Sequence, residues 1–437
     1  MELNDILQKI TRLNNDIKVK IEKISLDQCS NWSYNDRFGE ICNSTRDFFQ
    51  IKGIRKVTNG KTVLEQPVII QNEIGFLGII RKKINDEYYY LMQYKIEPGN
   101  INKIQISPTI QATKSNFEQK HGGKKPTYLE YFINSNKYKV VVDQIQSEQS
   151  SRFLGKRNRN IIIELKDDET IHVYNNYDWM TLKQIKELMR FNNLVNMDTR
   201  TVLSCLPIKF EGYTSDDFND KALYRSMFDE NGVNYKTEIY QYINDLKMFS
   251  GDKTELVPLN TLSSWSMRGN ELVCNEPYSF KVVFCDIEIE GREVKHWCQP
   301  LFEAIGIADF VLFTCIDKGV RLFLVKCRPE IGCFDKVEIG PTIQRDFVSN
   351  EEKDSVINYF EEKYKNKDGV IFESLLSEEG GRFYHEQNRN IIMNIDKNDL
   401  RLPEGYFWTD YKTLNELVQV NNTLNIQLRN LLSVLEY

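Results

Sequence analysis

The chain has 437 residues, 41% hydrophobic, 27% charged and 12% aromatic, more than one small core requires, so two to three globular domains are expected. Its net charge of −6 argues against a nucleic-acid surface, and no apolar stretch is long enough to span a bilayer. Nine cysteines without a CxxC pair indicate neither a disulfide framework nor a zinc ribbon. Reduced thiols, and the lack of a signal-peptide core in "MELNDILQKI", make the cytoplasm the expected location.

Residues 1–22 read as an amphipathic helix with Leu3, Ile6, Leu7, Ile10 and Leu13 on one side, within an N-terminal helical segment over 1–24. Beyond it the chain repeats itself. A constant spacing carries Leu26 and Trp32 onto Leu259 and Trp265, Gln66 onto Gln299, and Glu97 and Gly99 onto Glu330 and Gly332. The same spacing carries Pro108-Thr109-Ile110-Gln111 onto Pro341-Thr342-Ile343-Gln344. A slightly shorter one carries "SRFLGKRNRNIIIEL" from Ser151 onto "GRFYHEQNRNIIMNI" from Gly381. A last register pairs Trp179, Leu188, Asn192, Asn193, Asn196, Arg200 and Leu206 with Trp408, Leu417, Asn421, Asn422, Asn425, Arg429 and Leu435. This is domain duplication, with units over 25–207 and 258–437 and a polar linker over 208–257 holding one short helix in "TEIYQYINDLKMF".

Within each unit "EYYYLMQYKI", "NIIIEL", "VRLFLVKCR" and "NIIMNI" predict strands. "TLKQIKELMRFNNLVNMDTRTVLSCL" predicts a helix or a broken pair of helices. Strands followed by terminal helices give an α+β plan.

Four cations, Arg152, Lys156, Arg157 and Arg159, fall within eight residues and suit a diphosphate, because arginine presents a planar fork to phosphate oxygens. The competing reading pairs Arg159 and Arg389 with carboxylates inside each copy. The second copy keeps Arg382 and Arg389 but has Glu386 and Gln387 at the other two positions. Trp32 and Trp265, each beside polar residues, either stack on a nucleobase or pack in the core. Of four histidines, His121 beside Gly122-Gly123 suits acid–base work better than His172 in "TIHVY".

The combination of "SPTIQATKSNF", "HGG", "YLEYF", "SRFLGKRNRNII", "GPTIQRD" and "SEEGGRFYHEQNRNII", in that order, resembles the NDP-hexose 2,3-dehydratase family over about 25–437. The resemblance implies a fold of two tandem, duplicated Nudix-like domains with mixed sheets and flanking helices. It also implies a homodimer, two nucleotide-sugar pockets per subunit of which one is catalytic, and dTDP-4-keto-6-deoxyglucose as substrate. The metal-binding helix of Nudix hydrolases is missing: Gly232 and Glu238 have its first spacing, but Leu246 and Lys247 stand where Arg-Glu is required. No metal is therefore expected, and no redox cofactor, since oxidation at C3 is balanced by reduction at C2. The diketo product implies coupling to a following 3-ketoreductase. A nucleotide-sugar-binding protein without catalysis and a Nudix-type hydrolase are the alternatives.

On this reading the first copy binds nucleotide sugar through Trp32, Thr113, Lys114, Ser115, Asn116, Phe117, Ser151 and Arg152. The second copy's set is Trp265, Arg328, Gln344, Arg345, Asp346, Gly380, Gly381, Arg382 and Phe383. The first pocket is expected to do the chemistry and the second to be vestigial. Lys114 would hold an anionic oxygen, His121 or Glu130 would take the C3 proton, and Tyr128 would protonate the leaving hydroxyl.

Overall fold

The structure is a computed structural model and describes residues 2–114, 125–208, 214–228, 235–292, 294–349 and 351–435. The helix Leu3–Asp16 is followed by strand β1 (Val19–Ile24). The first unit contains β2 (Trp32–Asn35), β3 (Glu40–Asn43), β4 (Gln50–Thr58), β5 (Lys61–Ile70), β6 (Gly75–Ile84), β7 (Glu87–Ile96), β8 (Ile104–Ser107), β9 (Ile110–Ala112), β10 (Lys139–Ser147), β11 (Arg157–Glu164) and β12 (Tyr177–Thr181). It closes with the helices Leu182–Leu188 and Met197–Ser204. After β13 (Lys253–Val257) the second unit contains β14 (Trp265–Arg268), β15 (Glu271–Cys274), β16 (Phe280–Ile289), β17 (His296–Ala304), β18 (Ala308–Asp317), β19 (Val320–Pro329), β20 (Val337–Pro341), β21 (Ile343–Arg345), β22 (Val370–Ser377), β23 (Gln387–Asn394) and β24 (Tyr406–Asp410). The helices Tyr411–Val418 and Ile426–Ser433 end it.

The two units have one topology. In the first, the main sheet runs β10-β11-β6-β7-β12, with β8 on β7 and β9 on β6; in the second it runs β22-β23-β18-β19-β24, with β20 on β19 and β21 on β18. Each sheet is mixed, its parallel pair being β11–β6 or β18–β23. Repeated residues explain the repeated ends. Asn193 and Asn422 take positive φ, which asparagine tolerates, and Asn196 and Asn425 cap the last helices by accepting from Thr199 N and Leu428 N.

The units also exchange strands. β1, ahead of the first unit, pairs antiparallel with β16 of the second; β13, ahead of the second, pairs antiparallel with β4 of the first. The expected helix over 1–22 therefore stops at Asp16, because Val19-Lys-Ile-Glu-Lys-Ile24 alternates over its first four residues and is β-branched at its apolar positions. The segment 208–257 is more than a polar connector. Besides the expected helix, Lys236–Phe249, it holds a second helix, Lys221–Phe228, and β13; Leu223, Met227, Ile239 and Ile243 are buried. The main core is continuous across the units, with Ile79, Met92 and Ile162 in the same cluster as Leu312, Phe323 and Ile392.

Candidate functional site at the junction of the repeats

The repeated phrases form the β10–β11 and β22–β23 loops, and each loop is pinned twice. Its own unit holds it through a glutamine: Gln66 Nε2 donates to the Ser151 carbonyl at 2.7 Å and Gln299 Nε2 to the Gly381 carbonyl at 2.8 Å. The other unit holds it through a glycine: Gly332 N donates to Ser150 O at 2.9 Å and Gly99 N to Gly380 O at 2.7 Å. Those glycines are required by close approach. A Cβ on Gly99 would lie 1.6 Å from Phe383 O, and one on Gly332 1.9 Å from Phe153 O.

The loops consequently present their arginines to the opposite unit. Arg382 donates from Nε to Gln71 Oε1 at 3.2 Å and lies 4.3 Å over the Phe49 ring. Arg152 reaches Ser279 Oγ and Asp346 Oδ2, both at 3.5 Å, and lies 4.2 Å over Phe280. Both are buried. The expectation that Arg152 binds with Thr113 and Lys114 in the first copy is thus corrected: Arg152 serves the second unit's cluster and Arg382 the first's. A loop docked on a neighbouring unit offers its side chains to that unit, which spacing along the chain does not reveal.

In the first cluster, Lys95 Nζ stands 2.6 Å and Arg292 Nη1 3.4 Å from Glu97 Oε1. Burial alone would raise the Glu97 carboxyl, but those two cations outweigh it and hold it at about 2. Glu379, raised by burial, faces Arg382, Glu97, Lys156 and Lys95. Glu148 is pushed up to about 7 by burial and by the Glu379 charge, and burial lowers Lys156. Asn158 Nδ2 donates to Glu148 Oε1 at 2.6 Å, while its Oδ1 accepts from Gly75 N at 3.1 Å. Thr113 adjoins this group, its Cα 3.2 Å from where a Gly75 Cβ would stand.

The second cluster repeats the frame with different charges. Asn388 Nδ2 donates to Glu378 Oε1 at 2.6 Å, as Asn158 does to Glu148. Glu386 occupies the Lys156 position, Gln149 the Glu379 position, and Gln149 Nε2 donates to Glu386 Oε1 at 3.5 Å. Burial raises Glu386 to about 8 despite Arg152. Arg152 and Arg328 here face Glu330, Asp346, Glu378 and Glu386, a balance poorer in cations than the first cluster's. A separate open groove of about 650 Å³, lined by Asp317, Tyr359, Lys363 and Asp396 among others, lies at the far end of β18 from this loop.

Other expected residues fall as follows. Ser115, Asn116, Phe117 and His121 lie outside the described residues. Trp32 and Trp265 are 5% and 6% exposed; Trp32 packs against Phe48 and Phe49, and Trp265 against Tyr278 and Phe280. The expected open stacking platform is corrected to core packing. Tyr128 is buried, and its hydroxyl donates to the His172 carbonyl at 2.7 Å, so its expected role as proton donor to a leaving group is also corrected. Glu130 is exposed on the short helix Leu129–Ile133, near Tyr131 and Tyr138. Arg345 pairs with Glu361 at 3.3 Å, and Arg328 donates to Gln344 O at 3.0 Å. Gln344 bridges Glu330 and Asn425, and Phe383 packs on Phe153. Arg159 forms a two-pronged pair with Asp143 and Arg389 pairs with Asp309, as the carboxylate-pairing reading has it.

The sequence reading passed over Glu148, Glu379, Lys95, Arg292, Gln71 and Phe49. A signal for the first existed: the register that aligns Arg152 with Arg382 also aligns Glu148 with Glu378.

Fold and site together define a tandem-duplicated α+β protein with two charged clusters, each completed by an arginine from the other copy. The family described as NDP-hexose 2,3-dehydratase matches residues 3–206 and 236–435, and the chain belongs to it. Among its relatives is a Saccharopolyspora spinosa protein named dTDP-4-dehydro-6-deoxy-alpha-D-glucopyranose 2,3-dehydratase, 34% identical over 94% of this chain and 87% of its own length. Proteins of the same name from Streptomyces violaceoruber and Amycolatopsis orientalis are 32% and 30% identical, over 95% and 94% of this chain and 93% and 86% of theirs.

Proposed function

We infer that this protein is a hydro-lyase that removes water across C2 and C3 of dTDP-4-keto-6-deoxyglucose, the substrate carried in its relatives' names. The observation that carries this reading is family membership along nearly the whole chain, joined to a buried cluster that sets cations beside carboxylates of raised pKa. The C4 ketone acidifies the C3 proton. Its removal gives an enolate, the C2 hydroxyl leaves as water, and ketonisation yields a 3,4-diketo-2,6-dideoxy sugar. Such a step needs a base, an acid and fixed positive charge, all of which the first cluster contains.

The first cluster is the working site and the second a vestigial nucleotide-sugar site. Lys95, Lys156, Arg292 and Arg382 favour a diphosphate in the first, whereas the second is dominated by carboxylates. Lys114, next to Thr113 at the cluster's edge, would hold an anionic oxygen there. Each repeat is Nudix-like, the protein is a homodimer, and a 3-ketoreductase consumes its product. Nine free cysteines suit the cytoplasm. No helix among the described residues is long and apolar enough to cross a membrane.

The test is incubation with dTDP-4-keto-6-deoxyglucose, a 3-ketoreductase and NADPH. A 2-deoxy product is expected. Release of dTMP with Mg²⁺ would identify a hydrolase, and binding without turnover a binding protein; either result ends the dehydratase reading.

A further inference from the structure

The two clusters share a carboxylate and differ in what faces it. Glu148 and Glu378 are equivalent: each is buried, each accepts at Oε1 from an asparagine, and in each Oε2 has no hydrogen-bond partner among the described residues. A buried carboxylate oxygen without a partner is costly unless something else meets it, so such an oxygen points to a ligand or a transferable proton. The neighbours then diverge. In the first cluster the buried Lys156 ammonium feels the charges of Glu148 and Glu379 and donates to the Glu73 carbonyl. In the second, Glu386 takes its place, and the cation that acts most strongly on it is the Arg152 guanidinium. The carboxylate has been kept twice and its cationic partner once.

We propose that Glu148 and Lys156 are the proton-transfer pair of the dehydration, Glu148 taking the C3 proton and Lys156 protonating the departing C2 hydroxyl. This rests on the dehydratase reading above. The Glu148 carboxylate removes the C3 proton, and the C–H electrons form the enolate of the C4 ketone. The enolate collapses with cleavage of the C2–O bond, the Lys156 ammonium gives its proton to the leaving oxygen, and water departs. A 3-hydroxy-2-enone remains, with Glu148 protonated and Lys156 neutral. The Lys156 amine then takes the C3 hydroxyl proton and Glu148 returns its proton to C2, leaving the diketone with both side chains restored. The steps balance without an oxidant, a reductant or a metal. The environment fits these roles: burial pushes the Glu148 carboxyl up to about 7 and lowers the Lys156 ammonium from its ordinary value, each toward easier proton exchange.

Two isosteric or charge-keeping substitutions separate the roles. Substrate deuterated at C3 reports proton removal by disappearance of the label from C3, by transfer to C2 or by exchange to water, and elimination by formation of the 2-deoxy product in the ketoreductase-coupled assay. Glu148→Gln should lose both signals, each by roughly 10²–10⁴-fold. Lys156→Arg keeps the charge but cannot release a proton, so it should keep label loss and lose product by a similar factor, and Lys156→Met should also lose product. Thermal melting and dTDP binding establish that each variant is folded. Wild-type protein that leaves the substrate untouched sinks the dehydratase reading itself. With active wild type, label loss at the normal rate in Glu148→Gln, or product formation within about tenfold of normal in Lys156→Arg, overturns the pair.

Discussion

Arg200 in the first repeat donates from Nη2 to the Ser377 carbonyl in the second at 2.6 Å, and Arg429 donates to Ser147 in the first at the same distance. Each guanidinium also holds a carbonyl just before its own helix, Val195 or Leu424. Both arginines are almost wholly buried. Because Ser147 and Ser377 directly precede Glu148 and Glu378, these crossed contacts fix the strand ends that carry the two cluster carboxylates. Arg200→Met should leave buried carbonyls unpaired, at about 1–3 kcal/mol each. Urea unfolding should show a loss of at least about 2 kcal/mol; a loss within about 0.5 kcal/mol, as for a neutral surface change, would show the contacts to be incidental.

Glu338 predicts a pH dependence of stability. Burial raises its carboxyl to about 8, and Ser147 Oγ lies 2.7 Å from Oε2. The folded protein therefore keeps a proton that the unfolded chain sheds above the ordinary value of 4.5. Between those values the unfolded state binds fewer protons, so stability falls as pH rises, by up to about 1.4 kcal/mol per pH unit for one group. Glu148 and Glu386, also raised, act in the same direction. Gln105 occupies the equivalent place in the first repeat and donates to Ser377 Oγ at 2.8 Å, so glutamine fits the setting. Unfolding of Glu338→Gln followed from pH 5 to 8 should show a flatter decline; an unchanged slope would remove Glu338 from the account.

Gly99 and Gly332 admit no side chain without displacing a loop backbone. Gly99→Ala and Gly332→Ala should each destabilise by about 1–3 kcal/mol. Gly99→Ala displaces the loop bearing Glu379 and Arg382, and Gly332→Ala the loop that runs between Glu148 and Lys156, so each should also lower turnover. Melting curves beside coupled assays test this, and full turnover in either variant would contradict it.

Much of the scaffold was legible because the repeat carried its own reasons. Asn196 and Asn425 are helix caps, and Thr109 and Thr342 each take a backbone N–H of the facing strand, Ile80 or Phe313. The strand exchange was not legible, since β1 is a short β-branched stretch whose partner, β16, lies far along the chain. The site was legible in kind and misplaced in detail. Arg152 and Arg382 were visible as repeated cations, yet the unit each serves is decided by how the loops dock at Gly332 and Gly99. Trp32 misled because a tryptophan flanked by polar residues reads alike whether its ring is open to ligand or packed on Phe49.

The central claim is that chemistry occurs in the first repeat's cluster with an arginine lent by the second. Turnover of Arg382→Ala and Arg152→Ala in the ketoreductase-coupled assay, each normalised to folded protein, tests it most directly. The account predicts that Arg382→Ala loses roughly 10²-fold or more, the scale of removing one transition-state charge donor, while Arg152→Ala keeps most of its activity. Loss of activity from Arg152→Ala with Arg382→Ala still active would place the reaction in the other cluster and contradict the account.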